Sequence, residues 1–297
     1  MAIAGALELY ADTPAAYAFV FIFGALWGSF ANVCIFRMPP TDDHPDGRSV
    51  VRPGSHCFSC SEPIRWYDNL PLISYALLRG RCRACKTEFS PRYLLVELAT
   101  ALLFVAVYHF YVNQMFAGEV IQLRLLRFAV AAAYVFTLVV IAFIDLDTGL
   151  ILDKITYPAI PLFYACTFLF PEMKWWEGVV GAAVGYGVIR GVSDGYYALT
   201  RRRGLGYGDG KLLAMVGALG GWEAVVVSLF LGSLLGTIIS IPLILLKGRP
   251  EVVNEETEED ASLRHVAVPF GPFLALGAVA YIFASPWLLV SLSLLWG

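Results

Sequence analysis

Apolar runs of about 20 residues, the length that crosses a bilayer, recur along nearly the whole chain and are separated by short polar stretches. A soluble core has no use for so many. Of the 297 residues, 58% are hydrophobic and only 15% are charged, far from the soluble average, so lipid is the expected solvent. The pattern predicts an all-α polytopic membrane protein with about eight transmembrane helices. They fall near residues 15–36, 93–113, 127–146, 155–171, 176–198, 210–221, 223–246 and 267–292. The run 210–221 is too short to cross unaided at about 1.5 Å per residue, so it must tilt, re-enter or lie in a thinned region.

Charge sets the orientation. Residues 1–14 contain no Lys or Arg but include Glu8 and Asp12, which is not the basic start of a signal peptide. The first apolar run is therefore expected to be kept as a helix. Nine Lys and Arg lie from Arg37 to Arg92, and the positive-inside rule puts that loop in the cytoplasm and the N-terminus outside. Continuing the alternation, Arg201, Arg202, Arg203, Lys247, Arg249 and Arg264 fall inside, and Arg124, Arg127 and Lys174 outside. Membrane lipids are the expected surroundings, and no nucleic-acid partner is expected. The acidic stretch between Lys247 and His265 is expected to be a flexible loop without chemistry.

Three parts follow: a first transmembrane helix (1–36), a small cytoplasmic insertion (37–92) rich in Pro, Gly, Cys and charge, and a membrane-embedded remainder (93–297). The insertion carries Cys57-Phe58-Ser59-Cys60 and Cys82-Arg83-Ala84-Cys85. Two such pairs at this spacing match four-thiolate zinc ribbons, in which each pair sits on a tight knuckle and the closed shell makes the metal structural. Two disulfides are the alternative, disfavoured in a reducing compartment. Cys34 and Cys166 lie in predicted helices and read as small buried apolar residues.

Ionisable groups at the ends of membrane spans call for a functional hypothesis. Asp145 and Asp147 end the third span, and Asp209 sits in Gly206-Tyr207-Gly208-Asp209-Gly210, on the same predicted side. Two aspartates sharing a proton can hydrolyse an amide. One takes a proton from water, the other polarises the carbonyl, and their like charges keep both from ionising together. Gly206 and Gly208 would let a substrate strand approach Asp209 closely. Only one of Asp145 and Asp147 can face Asp209; Asp145 is favoured as the deeper residue, with Asp147 solvated or helix-terminal. Asp153 reads as the N-cap of the next span, and Arg190 and Asp194, four apart, as a local pair. The competing readings are a zinc-ribbon membrane adaptor with structural aspartates, and a transporter.

Further residues carry a resemblance. Gly28-Ser29-Phe30-Ala31-Asn32-Val33 with Arg37 and Pro39, both cysteine pairs, Asp68 to Ser74, Leu78 to Cys82, Arg92-Tyr93 and Glu97, both aspartate motifs, and Pro269 to Gly277 stand in the order found in the type IV prepilin peptidases. The chain resembles that family over nearly its whole length. It departs at Ile151-Leu152-Asp153, where the family often has Ile-Pro-Asp, and at Phe58, where it often has Pro. The resemblance implies a bacterial inner-membrane enzyme that cuts the basic leader from prepilins and type II secretion pseudopilins at the cytoplasmic face. It also implies N-methylation of the new N-terminus with S-adenosylmethionine as donor, a reaction assigned to the cysteine-rich part, with a peptidase that does not methylate as the alternative. No donor-binding residue stands out in the sequence.

Overall fold

The computed structural model describes residues 2–170, 173–201, 206–247 and 269–296. Among them the regular structure is helical, and strands are reduced to isolated bridges. The acidic stretch at 251–260, with Arg202, Arg203, Arg249 and Arg264, lies outside the described residues.

Nine α-helices are described: α1 (Ala2–Ala11), α2 (Pro14–Arg37), α3 (Ile73–Leu78), α4 (Arg92–Tyr108), α5 (Ile121–Thr148), α6 (Asp153–Cys166), α7 (Trp175–Thr200), α8 (Tyr207–Lys247) and α9 (Gly271–Trp296). Among the described residues, four segments are long and apolar enough to cross a membrane: Pro14–Arg37, Arg92–Met115, Ile121–Thr148 and Tyr207–Pro242. The all-helical, membrane-spanning character is present, but these four do not confirm the expected count of eight. At 14 residues α6 is short and holds Pro158 and Pro161, and the apolar part of α9 within the described side chains is Gly271–Pro286.

The two runs expected at 210–221 and 223–246 form one element of 41 residues, about 60 Å at the helical rise and twice the thickness of the hydrocarbon core. It breaks where the sequence placed the boundary. Gly221 has φ 73° and ψ −175°, a conformation open essentially to glycine alone. The helical part before this break is about 21 Å long by the same rise, so the expectation that 210–221 cannot cross alone stands.

Helix α5 lies at the centre. Leu138, Ile141 and Ile144 pack in one buried cluster with Leu212, Leu213 and Met215 of α8 and Leu274 of α9. The outer faces are apolar and exposed, as at Phe19, Ile22, Leu26 and Phe230, the inverse of a soluble protein and the surface that lipid covers. With no hydrophobic drive between helices in lipid, close backbone approach supplies the packing. A Cβ on Gly24 would lie 2.8 Å from the Ala101 Cα, and one on Gly28 would lie 2.6 Å from the Glu97 Cα. The Gly24-x-x-x-Gly28 face is therefore what lets α2 touch α4. Gly178, Gly181 and Gly185 of α7 play the same part against Leu213, Gly217 and Ala218 of α8. Gly28→Val is expected to push α2 off α4 and cost about 1–3 kcal/mol, read as a lower Tm in detergent; an unchanged Tm would contradict this contact.

The two ends of the bundle differ. At one end Arg124 and Arg127, buried at the start of α5, are neutralised by Glu8 of α1 and by Glu119, the latter pair at 2.8 Å. At the other end lie the close of α2, the whole insertion, the start of α4, the close of α5 and the starts of α6, α8 and α9. Everything the sequence marked as functional falls there.

Candidate active site

Helix α5 ends because Gly149 takes a left-handed conformation (φ 65°) and its N–H bonds back to the Asp145 carbonyl at 2.8 Å, a common helix stop. This places Asp145 in the last turn with its side chain buried. Its Oδ2 accepts the Gly271 N–H at 2.9 Å. Gly271 is the first residue of α9, so the carboxylate faces the positive end of a helix dipole. Asp209, in the first turn of α8, is half-buried and close enough to Asp145 for their charges to interact. Its carboxylate has no hydrogen-bond partner among the described residues, whereas Asp145 is held.

Asp147 points elsewhere. It pairs with Arg92 at the start of α4, and Arg92 also donates to the Phe143 carbonyl at 2.9 Å. Asp147 is thus engaged by Arg92, while Asp145 lies within charge range of Asp209. Asp153 needs correction: the N-cap of α6 is Leu152, and Asp153 sits in the first turn, where it pairs with Lys211 at 2.5 Å. Lys211 follows the Asp209 motif, and its ammonium also lies 4.9 Å from the Tyr157 ring centre. This partner across helices outweighs the local capping role.

The glycines around Asp209 have separate reasons. A Cβ on Gly208 would meet the Ile151 Cβ at 2.9 Å, so the loop after α5 closes directly over the motif. One on Gly206 would stand 3.6 Å from Asp209 Oδ2, on the exposed approach to the carboxylate. The expected Arg190–Asp194 pair is present at 2.8 Å. Tyr207 extends it, donating its hydroxyl to Asp194 at 3.0 Å with the Arg190 guanidinium 4.6 Å from its ring centre, which ties the motif to α7.

The four cysteines of the insertion converge, their sulfurs all within 4.8 Å of one another and none disulfide-bonded. Cys57 and Cys85 stand 3.7 Å apart and Cys60 and Cys82 4.0 Å. Four thiolates around zinc at a bond length of about 2.3 Å require separations of about 3.8 Å, so the residues fit the ion. Each pair sits on a knuckle of the same design. The N–H of Ser61 returns to Cys57 O at 2.9 Å and that of Lys86 to Cys82 O at 3.1 Å, and both residues are left-handed. Single bridges, His56 to Pro63 and Arg81 to Glu88, close them. The expected ribbon is therefore two bare knuckles without a sheet. The hydroxyl of Thr87, then its backbone N–H, bring the Cys85 thiol down to about 6. Cys60 is pushed up to about 11: the Glu62 backbone contact works against this shift, and burial and the neighbouring sulfurs outweigh it. Four sulfurs this close ionise together only with a cation between them.

Residues 22–111 match the bacterial peptidase A24 N-terminal domain, and residues 132–241 match the type IV leader peptidase family. A prepilin leader peptidase/N-methyltransferase of Aeromonas hydrophila is 36% identical over 291 residues, covering 91% of each chain. This chain belongs to the prepilin leader peptidase/N-methyltransferase family. Relatives of the same name from Pseudomonas putida (34% identical, 86% of each chain) and Myxococcus xanthus (31% identical, 91% of this chain and 90% of that one) also span most of it. No solved structure matches. The first match ends just beyond α4 and the second begins within α5, so the cysteine insertion belongs to the first and both aspartates to the second.

The sequence did not reveal Gly271 as the partner of Asp145. Pro269 to Gly277 stood out only as a family signature, and a backbone donor leaves no side-chain trace.

Proposed function

We propose that this chain is a prepilin leader peptidase of the bacterial inner membrane, with Asp145 and Asp209 as its catalytic pair, that also N-methylates the product. The observation that carries the reading is the convergence of these two carboxylates from separate helix ends, with Asp145 fixed by the Gly271 N–H. Holding one oxygen of Asp145 leaves the other for water, and the unengaged Asp209 faces an approach lined by Gly206. One carboxylate draws the proton from water while the other polarises the scissile carbonyl. The nine Lys and Arg from Arg37 to Arg92 support a cytoplasmic position for this end and an outside position for the N-terminus, on a reading of about eight spans in which the part of α8 before Gly221 tilts, re-enters or lies in a thinned region. The apolar helix of a prepilin or pseudopilin enters from the bilayer and leaves its basic leader in the cytoplasm.

The cysteines Cys57, Cys60, Cys82 and Cys85 hold a structural zinc, and S-adenosylmethionine supplies the methyl group. Arg92 joins the two activities in space, since α4 leads out of the insertion and its first residue pairs with Asp147, two residues beyond Asp145.

Gly271 gives a direct test. A Cβ there would lie 2.7 Å from Asp145 Oδ2 and 3.1 Å from its Cγ, so Gly271→Ala must displace the carboxylate. Misplacing a catalytic group by about 1 Å costs on the order of 100-fold. That loss is expected in kcat for prepilin cleavage, with helix content unchanged by circular dichroism. Wild-type cleavage by Gly271→Ala would remove Gly271 from the site.

A further inference from the structure

A cavity of about 420 Å³ lies between the insertion and the inner ends of α2 and α4. It is separate from the aspartate pair, and its size suits a small-molecule ligand. We propose that this cavity binds S-adenosylmethionine, with Phe36, Phe58 and Phe89 walling the adenine and Arg48 taking the α-carboxylate. The proposal rests on the methyltransferase reading above and gives it a place.

The lining has the matching chemistry. Phe58 lies with its ring centre 5.5 Å from that of Phe36 and 6.1 Å from that of Phe89, a continuous aromatic wall for a flat base. Phe58 stands inside the first cysteine knuckle, where the family often has Pro, so metal and wall share a scaffold. Most charges around the cavity are already engaged. Arg37 donates to the carbonyls of Ser49 and Pro53 at 3.1 and 2.7 Å, Arg81 pairs with Glu88 at 2.7 Å, and Asp68 is gripped by Arg83 at 2.8 and 2.6 Å. Arg48 is the exception. Its guanidinium lies 5.8 Å from the Phe36 ring centre and makes no ion pair among the described residues. Glu97 of α4, accepting the Leu72 N–H at 2.8 Å, presents the negative charge that a sulfonium or ammonium group seeks. One free guanidinium and one carboxylate around aromatic rings suit a zwitterionic amino acid joined to a nucleoside, and do not suit a polyphosphate.

Position agrees with the chemistry. Tyr93 and Glu97 line the cavity, and the preceding Arg92 pairs with Asp147. An amine freed beside Asp145 therefore has one helix end to pass.

The test is equilibrium dialysis of radiolabelled S-adenosylmethionine, and of methylthioadenosine, which lacks the amino-acid part, against the purified full chain in detergent. Arg48→Ala is expected to weaken S-adenosylmethionine binding by about ten-fold, the value of one charge-assisted hydrogen bond, and to leave methylthioadenosine binding as in wild type. Phe58→Ala is expected to weaken both ligands. Asp43→Asn, exposed and outside the cavity, is expected to bind as wild type. Should Phe58→Ala misfold, the exposed Arg48 side chain decides alone. Wild-type affinity for S-adenosylmethionine in Arg48→Ala would overturn the site while leaving the methyltransferase reading in place. A wild-type chain that binds no S-adenosylmethionine would overturn both.

Discussion

Cys57→Ser and Cys82→Ser are expected to strip the zinc and abolish methyl transfer while leucine-rich helices α5, α8 and α9 keep the chain cutting prepilin. Residues 38–91 have almost no apolar interior. Among the described residues of that stretch, the buried hydrophobic side chains are Cys57 and Cys82 themselves. The remaining ties are polar: among them the Arg83–Asp68 pair, the knuckle turns, the Leu72 N–H on Glu97 of α4, and Lys154 of α6 donating to the carbonyls of Met38 and Asp46, the latter at 2.8 Å. A stretch of this kind has little to fold around except the metal, which in comparable peptides contributes on the order of 10 kcal/mol. The aspartate pair depends instead mainly on the packing of the long helices, to whose core the insertion adds only the partly buried Met38 and Val50. Metal analysis is expected to find about one zinc per wild-type chain, as a closed four-thiolate site requires, and close to none in either variant. Mass analysis of the product is expected to show cleavage within about ten-fold of wild type, below the loss typical of a missing catalytic group, and no added methyl. Zinc retained in both variants, or methylation without zinc, would contradict this account.

Much of the architecture was legible because lipid imposes length. The runs read at 15–36, 176–198 and 223–246 reappear within a few residues as α2, α7 and the second part of α8. Even the boundary at Gly221 was visible as a gap between two runs, both expected to be helical, as they are. What escaped depends on partners remote in the chain. Residues 2–11 group in the sequence with the first transmembrane helix, yet they form a separate α1, whose Glu8 neutralises the buried Arg124. Asp153 looked like a local cap and is drawn to Lys211. The choice between Asp145 and Asp147 could be argued from depth, but it is Arg92 that turns Asp147 away. The cysteine spacing read directly because a metal fixes it from within one segment. The donor cavity did not, because its walls come from α2, the insertion and α4 together.

Asp145→Asn and Asp209→Asn carry the largest expected effect. An amide is isosteric with the carboxylate, so packing and the Gly271 contact survive, but it can neither take a proton from water nor share one with its neighbour. Loss of a general acid or base costs about 10²–10⁴-fold, and two groups acting as one unit lose about as much singly as together. Asp147→Asn removes only the ion pair with Arg92, worth about 0–1 kcal/mol at a partly exposed site, so cleavage is expected to stay within a few-fold of wild type.

The most direct measurement is therefore prepilin cleavage in detergent without methyl donor, followed by mass, for Asp145→Asn, Asp147→Asn and Asp209→Asn side by side. The account predicts uncut substrate with Asp145→Asn and Asp209→Asn and near-normal product with Asp147→Asn. Product from Asp145→Asn at the wild-type rate would contradict it.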